Sequence, residues 1–141
     1  IILPGLISSR KIIVTPEKAD IPREDGFQFF EDWTSGVGSK ELADIILKIS
    51  GEDKIDVYLE EENSYFITLK NDPRLKNVNV EIVQWLVDPL TEIPKEVLAD
   101  GKTTVFVRNR YPDIPDDWPV ELVWSYPKTD VRSVYLYKIL K

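Results

Sequence analysis

The chain contains no cysteine, no histidine and no methionine. Without thiols or imidazoles it has no disulfides, no thiolate or imidazole metal site, no Ser-His or Cys-His nucleophile pair and no haem ligation by His, Cys or Met. What remains for chemistry is carboxylates, Lys, Arg, Tyr and hydroxyls, a set suited to a glycosidase-type carboxylate pair or to an oxygen-ligand cation site. Positive charge is in deficit: 25 acidic residues oppose 18 basic ones, for a net charge of -7. A surface of that sign repels phosphate backbones, and no nucleic-acid partner is expected. No stretch approaches the roughly 20 apolar residues that span a bilayer, so the chain reads as soluble. Charged residues make up 30% of the sequence while thermolabile types are missing, which leans toward a thermophilic source, archaeal by expectation.

What is present is mostly strand pattern. At 141 residues the chain suits one domain. Residues 10–15 (RKIIVT) form a short apolar run bounded by Pro16, and residues 27–33 (FQFFEDW) form an aromatic one after Asp25-Gly26. Residues 42–50 (LADIILKIS) fit helix or strand, and their β-branched content with the closing Ser50-Gly51 points to strand. From Lys54 the alternation is clear, with Ile55, Val57 and Leu59 on one face and Asp56, Tyr58 and Glu60 on the other. Further strands are expected over residues 65–70, 78–87, 103–108, 120–126 and 131–140, separated by turn signals such as Asn71-Asp72-Pro73 and Asp100-Gly101. About eight to nine short strands punctuated in this way predict an all-β, antiparallel β-sandwich of jelly-roll type. Residues 1–15 then form an N-terminal apolar segment with the first strand, and residues 16–141 the sandwich domain.

Two acidic clusters are candidate cation sites. The first runs from Glu52 and Asp53 to Glu60, Glu61 and Glu62 at the end of the Lys54 strand; the second is Asp113, Asp116 and Asp117, near Glu121. Either could gather the oxygens that calcium takes, although neither has the spacing or the glycine of an EF-hand loop. The plainer reading of the first cluster is a solvated corner between two strands. Glu60 and Glu62 form a conceivable acid and base pair, but no pocket or environment singles them out, and no enzyme is expected.

Asp56-Val57-Tyr58 followed by Glu61-Glu62-Asn63, and later Gly101 followed by Thr104-Val105-Phe106-Val107-Arg108-Asn109, resembles secreted jelly-roll sandwiches of the GOLD and pre-peptidase C-terminal kind. Those families show a D-V-Y strand with an acidic E-E-N-Y turn, then a glycine and an aromatic strand ending in Asn. The similarity covers residues 44–126; Ser64 intervenes between Asn63 and Tyr65, and Arg108 stands where relatives often carry an acid. The resemblance implies a non-catalytic extracytoplasmic domain that works through protein contact, and it supplies no active-site residues.

Trp33, Trp85, Trp118 and Trp124 with six tyrosines could offer a sugar-stacking platform. Trp85 and Trp124 lie within strand pattern and read as core, Trp118, in Asp116-Asp117-Trp118-Pro119, is the one that could be exposed, and core or corner packing is the plainer reading of the set.

The opening Ile1-Ile2-Leu3-Pro4-Gly5-Leu6 is apolar for a chain end, and a start at Ile instead of Met suggests a removed signal peptide or membrane anchor. Ile1, Ile2, Leu3 and Leu6, with Ile12, Ile13 and Val14, form a candidate donor segment that adds to the sheet edge of another copy. Such head-to-tail contacts do not close and grow filaments. The expectation is a structural subunit at the cell surface or outside the cell, self-associating as a homo-oligomer or polymer, in plan similar to archaeal and bacterial sandwich-fold filament and tube proteins. The alternatives are a membrane-tethered protein-interaction module, its membrane contact made only through the removed anchor or signal, and a carbohydrate-binding module. No cofactor is expected beyond a possible calcium ion.

Overall fold

A computed structural model describes residues 36–60, 63–82, 92–93, 95, 103–109, 114–128 and 133–140. In chain order these hold helix α1 (Ser39–Ser50), strand β1 (Ile55–Leu59), helix α2 (Ser64–Asn71), a 3-10 turn (Pro73–Leu75), and strands β2 (Val78–Ile82), β3 (Thr103–Arg108), β4 (Val120–Pro127) and β5 (Ser133–Ile139). The five strands make one sheet in the order β2-β1-β3-β5-β4. β1 runs parallel to both β2 and β3, while β5 is antiparallel to β3 and to β4.

The sheet-rich part of the sequence reading therefore stands, but an antiparallel sandwich or jelly roll is not shown. Among the described residues there is one mixed sheet, and helices rather than a second sheet cover one of its faces. Residues 42–50, expected as strand, belong to α1. Leu42, Ala43 and Ile46 are buried there and Ile49 packs on the same core, a spacing of three to four that fits a helix face rather than an alternating strand. Gly38 and Gly51 bound α1 with positive φ, 86° and 54°, and the Gly51 N–H donates to the Leu47 carbonyl at 3.1 Å. Residues 65–70, also expected as strand, belong to α2. Asn63 starts that helix: its Oδ1 accepts from the amides of Tyr65 at 3.0 Å and Phe66 at 3.2 Å. Tyr65 and Leu69, four apart, then face the core while Ile67 stays 54% exposed.

The strand expectations from Lys54 and at residues 103–108 and 120–126 hold in β1, β3 and β4, β5 covers residues 133–139 of the one at 131–140, and β2 covers the first part of the one at 78–87. Those at 10–15 and 27–33 lie outside the described residues.

Ile55, Val57 and Leu59 share one face of β1, as the alternation requires, and join Val105, Val107, Val134, Leu136 and the inner residues of α1 and α2 in a first core. On the opposite face Tyr58, Phe106 and Ile139 form a second core with Ile93 and Trp118. β3 is accordingly buried almost along its whole length, the pattern of a strand with both faces covered.

Gly38 shows how closely α1 seats against this sheet. A Cβ there would lie 2.8 Å from Tyr126 Cδ1, on a backbone already in the left-handed region. Gly38→Ala should destabilise the fold by about 1 to 2 kcal/mol from the backbone conformation alone, and by more from the collision, read as a lowered urea midpoint with an unchanged slope. On the surface, Lys40 lies 2.8 Å and Arg74 2.7 Å from Asp44. The hydrogen bond from Lys40, then that from Arg74, holds the Asp44 carboxyl below its ordinary value. Their stabilisation is present above the ordinary carboxylate range and lost as the pH falls, and on an exposed surface it is small.

Candidate functional site at the carboxyl edge of the sheet

β1 leads through α2 to β2 on one side, and the chain then returns across β1 to β3 on the other. Crossovers of one hand that run in opposite directions must use opposite faces of the sheet. The packing agrees: α2 sits on the first core, whereas Ile93, in the return from β2 to β3, packs on the second with Tyr58 and Phe106. The order thus reverses between β1 and β3. In open α/β sheets the crevice outside the carboxyl ends of strands at such a reversal is where ligands bind.

Two oppositely charged residues converge at that point. Glu60 follows β1, and Arg108 ends β3. They are 5% and 1% exposed, with Arg108 Nη2 2.7 Å from Glu60 Oε1. Strand alternation places both on the second face, in line with Tyr58 and Phe106, which are register partners. The Arg108 guanidinium lies 5.3 Å from the centre of the Trp118 ring and 6.0 Å from that of Phe106. Trp118, the tryptophan that could have been exposed, is 8% exposed because its indole closes over this pair and over Phe106, 6.1 Å away between ring centres.

On the first face of the same edge, Lys128 Nζ donates to Asn109 Oδ1 at 3.1 Å and lies 5.2 Å from the centre of the Tyr65 ring. Asn109 is buried, and the Tyr65 hydroxyl donates to the Val37 carbonyl just ahead of α1. Burial, then the neighbouring Tyr126 and Glu41, pushes the Tyr65 phenol well above its ordinary value, so it is a neutral hydrogen-bond donor throughout the physiological range. The beginnings of α1 and α2 meet here as well, since a Cβ on Gly36 would lie 3.3 Å from Ser64 Cβ.

The first acidic cluster is divided by this architecture. Asp53 is exposed before β1, whereas Glu60 is buried beyond its other end, and the five-residue strand, about 16 Å long at about 3.3 Å per residue, lies between them. Glu60 is thus an ion-pair partner and not part of a solvated corner, while Glu61 and Glu62 lie outside the described residues. Of the second cluster, Asp116 and Asp117 are exposed in the turn before Trp118, and Asp113 lies outside the described residues. No three carboxylates gather into a cation site among the described residues. The donor-segment residues Ile1, Ile2, Leu3, Leu6, Ile12, Ile13 and Val14, and also Trp33 and Trp85, lie outside them too.

Lys128 and the buried role of Arg108 escaped the sequence reading. A signal was nevertheless present: the IDVYL and TTVFV runs each end in an ionisable residue, one of either sign.

A second exposed feature lies at the sheet border. Among the described residues β4 is an edge strand, and its register on β5 slips between Leu122 and Trp124, leaving Val123 without a partner residue. Leu122 and Val123 are 51% and 41% exposed.

No protein-family model, curated protein or solved structure matches the chain. Among the described residues no helix is long and apolar enough to cross a membrane.

Proposed function

We propose that this chain is a non-catalytic domain that works by protein contact at a cell surface, associating with further copies through strand addition at β4. The observation that carries the reading is the pair of exposed apolar side chains, Leu122 and Val123, on an edge strand of eight residues. An edge presents backbone donors and acceptors to any added strand, and flanking apolar side chains make the addition favourable. The register slip at Val123 and Pro127 at the strand end restrict the edge to a short, matched partner. The apolar groups at residues 1–6 and 12–14, with polar Ser8-Ser9-Arg10-Lys11 between them, supply a segment of suitable character. The non-catalytic part of the reading is supported by the carboxyl edge, where Glu60 is committed in charge and orientation to Arg108 and is poorly placed to act as a general acid or base.

Light scattering across a concentration series, with electron microscopy of the assembled material, tests the proposal. The intact chain should self-associate. Deleting residues 1–9 should leave a folded monomer, and Leu122→Lys with Val123→Lys should do the same from the acceptor side. A chain that stays monomeric at every concentration, with or without residues 1–9, overturns the assembly reading and favours the membrane-tethered interaction module.

A further inference from the structure

β4 offers an added strand more than two apolar side chains. Glu121, Leu122 and Val123 are exposed in succession near its start, and Lys128 follows its end. Residues 10–14 read RKIIV, a basic pair followed by three apolar residues, and residues 1–7 ahead of them read IILPGLI. Resting on the assembly reading above, we infer that the donor segment of one copy lies parallel to β4 of the next, with Lys11 beside Glu121, Ile12 beside Leu122 and Ile13 beside Val123.

Charge sets the direction. Residues side by side in a parallel pair share a face, as Val57 and Val105 do in the first core. A charged residue followed by two apolar ones then meets the same order on β4, position by position. Glu121 has Lys138 as its register partner on β5, and a parallel donor sets a second cation on its other side. Opposite charges on neighbouring strands attract and like charges repel. An antiparallel donor that covers Leu122 and Val123 with the same apolar residues turns Arg10 and Lys11 toward Lys128, cation toward cation, and sets Thr15 beside Glu121.

The remaining apolar surface favours the same direction. Just ahead of β4 the Leu140 amide donates to the Pro119 carbonyl at 2.7 Å, and the Leu140 side chain is 46% exposed. A parallel donor enters over this end of the sheet, so residues 1–7 pass Leu140 on the way to Lys11. An antiparallel one sends them past Lys128 to the carboxyl edge. Removing residues 1–9 therefore strips the contact at Leu140 and leaves only residues 10–14 on β4.

Disulfide cross-linking tests the direction, since the chain has no cysteine of its own. Two double variants are oxidised under conditions in which the intact chain assembles: Lys11→Cys with Glu121→Cys, and Lys11→Cys with Ser125→Cys. Parallel addition puts Lys11 and Glu121 on neighbouring strands about 4.8 Å apart, with Ser125 four residues, or about 13 Å, further along. Only the first separation falls within the roughly 4.4 to 6.8 Å between Cα atoms that a disulfide spans. The first variant should give a ladder of linked copies on a non-reducing gel and the second none. Glu121 and Ser125 are both exposed, so both variants should fold. Charge exchange gives a second reading without cysteine: Glu121→Lys and Lys11→Glu should each weaken association about fivefold, and the two together should restore it to within about twofold. Linkage of the Ser125 variant, linkage of neither variant in assembled material, or a charge exchange that restores nothing overturns the parallel register and leaves the assembly reading standing. A disulfide formed within one copy, or an intact chain that never associates, overturns both.

Discussion

Replacing Arg108 by methionine should destabilise the domain by about 3 to 5 kcal/mol, whereas replacing both members of the pair, as Glu60→Leu with Arg108→Met, should leave stability unchanged or raise it by about 1 to 4 kcal/mol. The difference follows from burial. Glu60 is 5% and Arg108 1% exposed, so each has surrendered its hydration, and the two form an ion pair at 2.7 Å. Removing Arg108 alone takes the ion-pair partner from a buried carboxylate at the end of β1. Removing both replaces two desolvated charges by apolar groups beside Phe106 and Trp118, which can pack against them. A urea-unfolding double-mutant cycle measures all four chains. A loss under about 1 kcal/mol for Arg108→Met would mean that water reaches the pair and that the carboxyl edge is an open, solvated crevice.

The same pair shows what could be read from the sequence and what could not. The faces of β1 were legible, because side chains in a strand alternate whatever its neighbours are, and Ile55, Val57 and Leu59 enter the first core as expected. Strand direction was not legible. Alternation is the same in parallel and antiparallel pairs, and β1 takes parallel neighbours on both sides. The two helices were misread for a specific reason. Residues 42–50 and 65–70 are rich in residues that favour strands, yet Leu42 and Ile46, like Tyr65 and Leu69, repeat at four, and packing of those faces on the sheet overrides propensity. Once α2 is a helix, Asn63 becomes its cap instead of part of a strand turn. Glu60 then lies where a crossover leaves the sheet, beside a strand far along the chain. Its contact with Arg108 depends on topology, which no local pattern of residues encodes.

Phe106→Ala should lower stability by about 3 to 5 kcal/mol. From sequence alone, either Phe106 or the Val105 and Val107 pair had to face the interior, because alternation sends them to opposite sides, unless both faces of the strand were covered. Both are covered: Val105 and Val107 are 0% and 2% exposed in the first core, and Phe106 is 2% exposed in the second. The second core is the smaller one, built on Tyr58, Ile93, Phe106, Trp118 and Ile139. Phe106 touches its key members, with its ring centre 6.1 Å from that of Trp118 and 6.0 Å from the Arg108 guanidinium. Truncation therefore removes the packing beneath the indole that closes over the Glu60–Arg108 pair, and collapse into the gap would disturb that pair as well. The loss should appear as a lowered unfolding midpoint and as altered tryptophan emission from the folded state, since Trp118 loses its aromatic neighbour. A loss under about 1 kcal/mol with unchanged emission would show that the second face packs loosely, and that β3 is held by the first core alone.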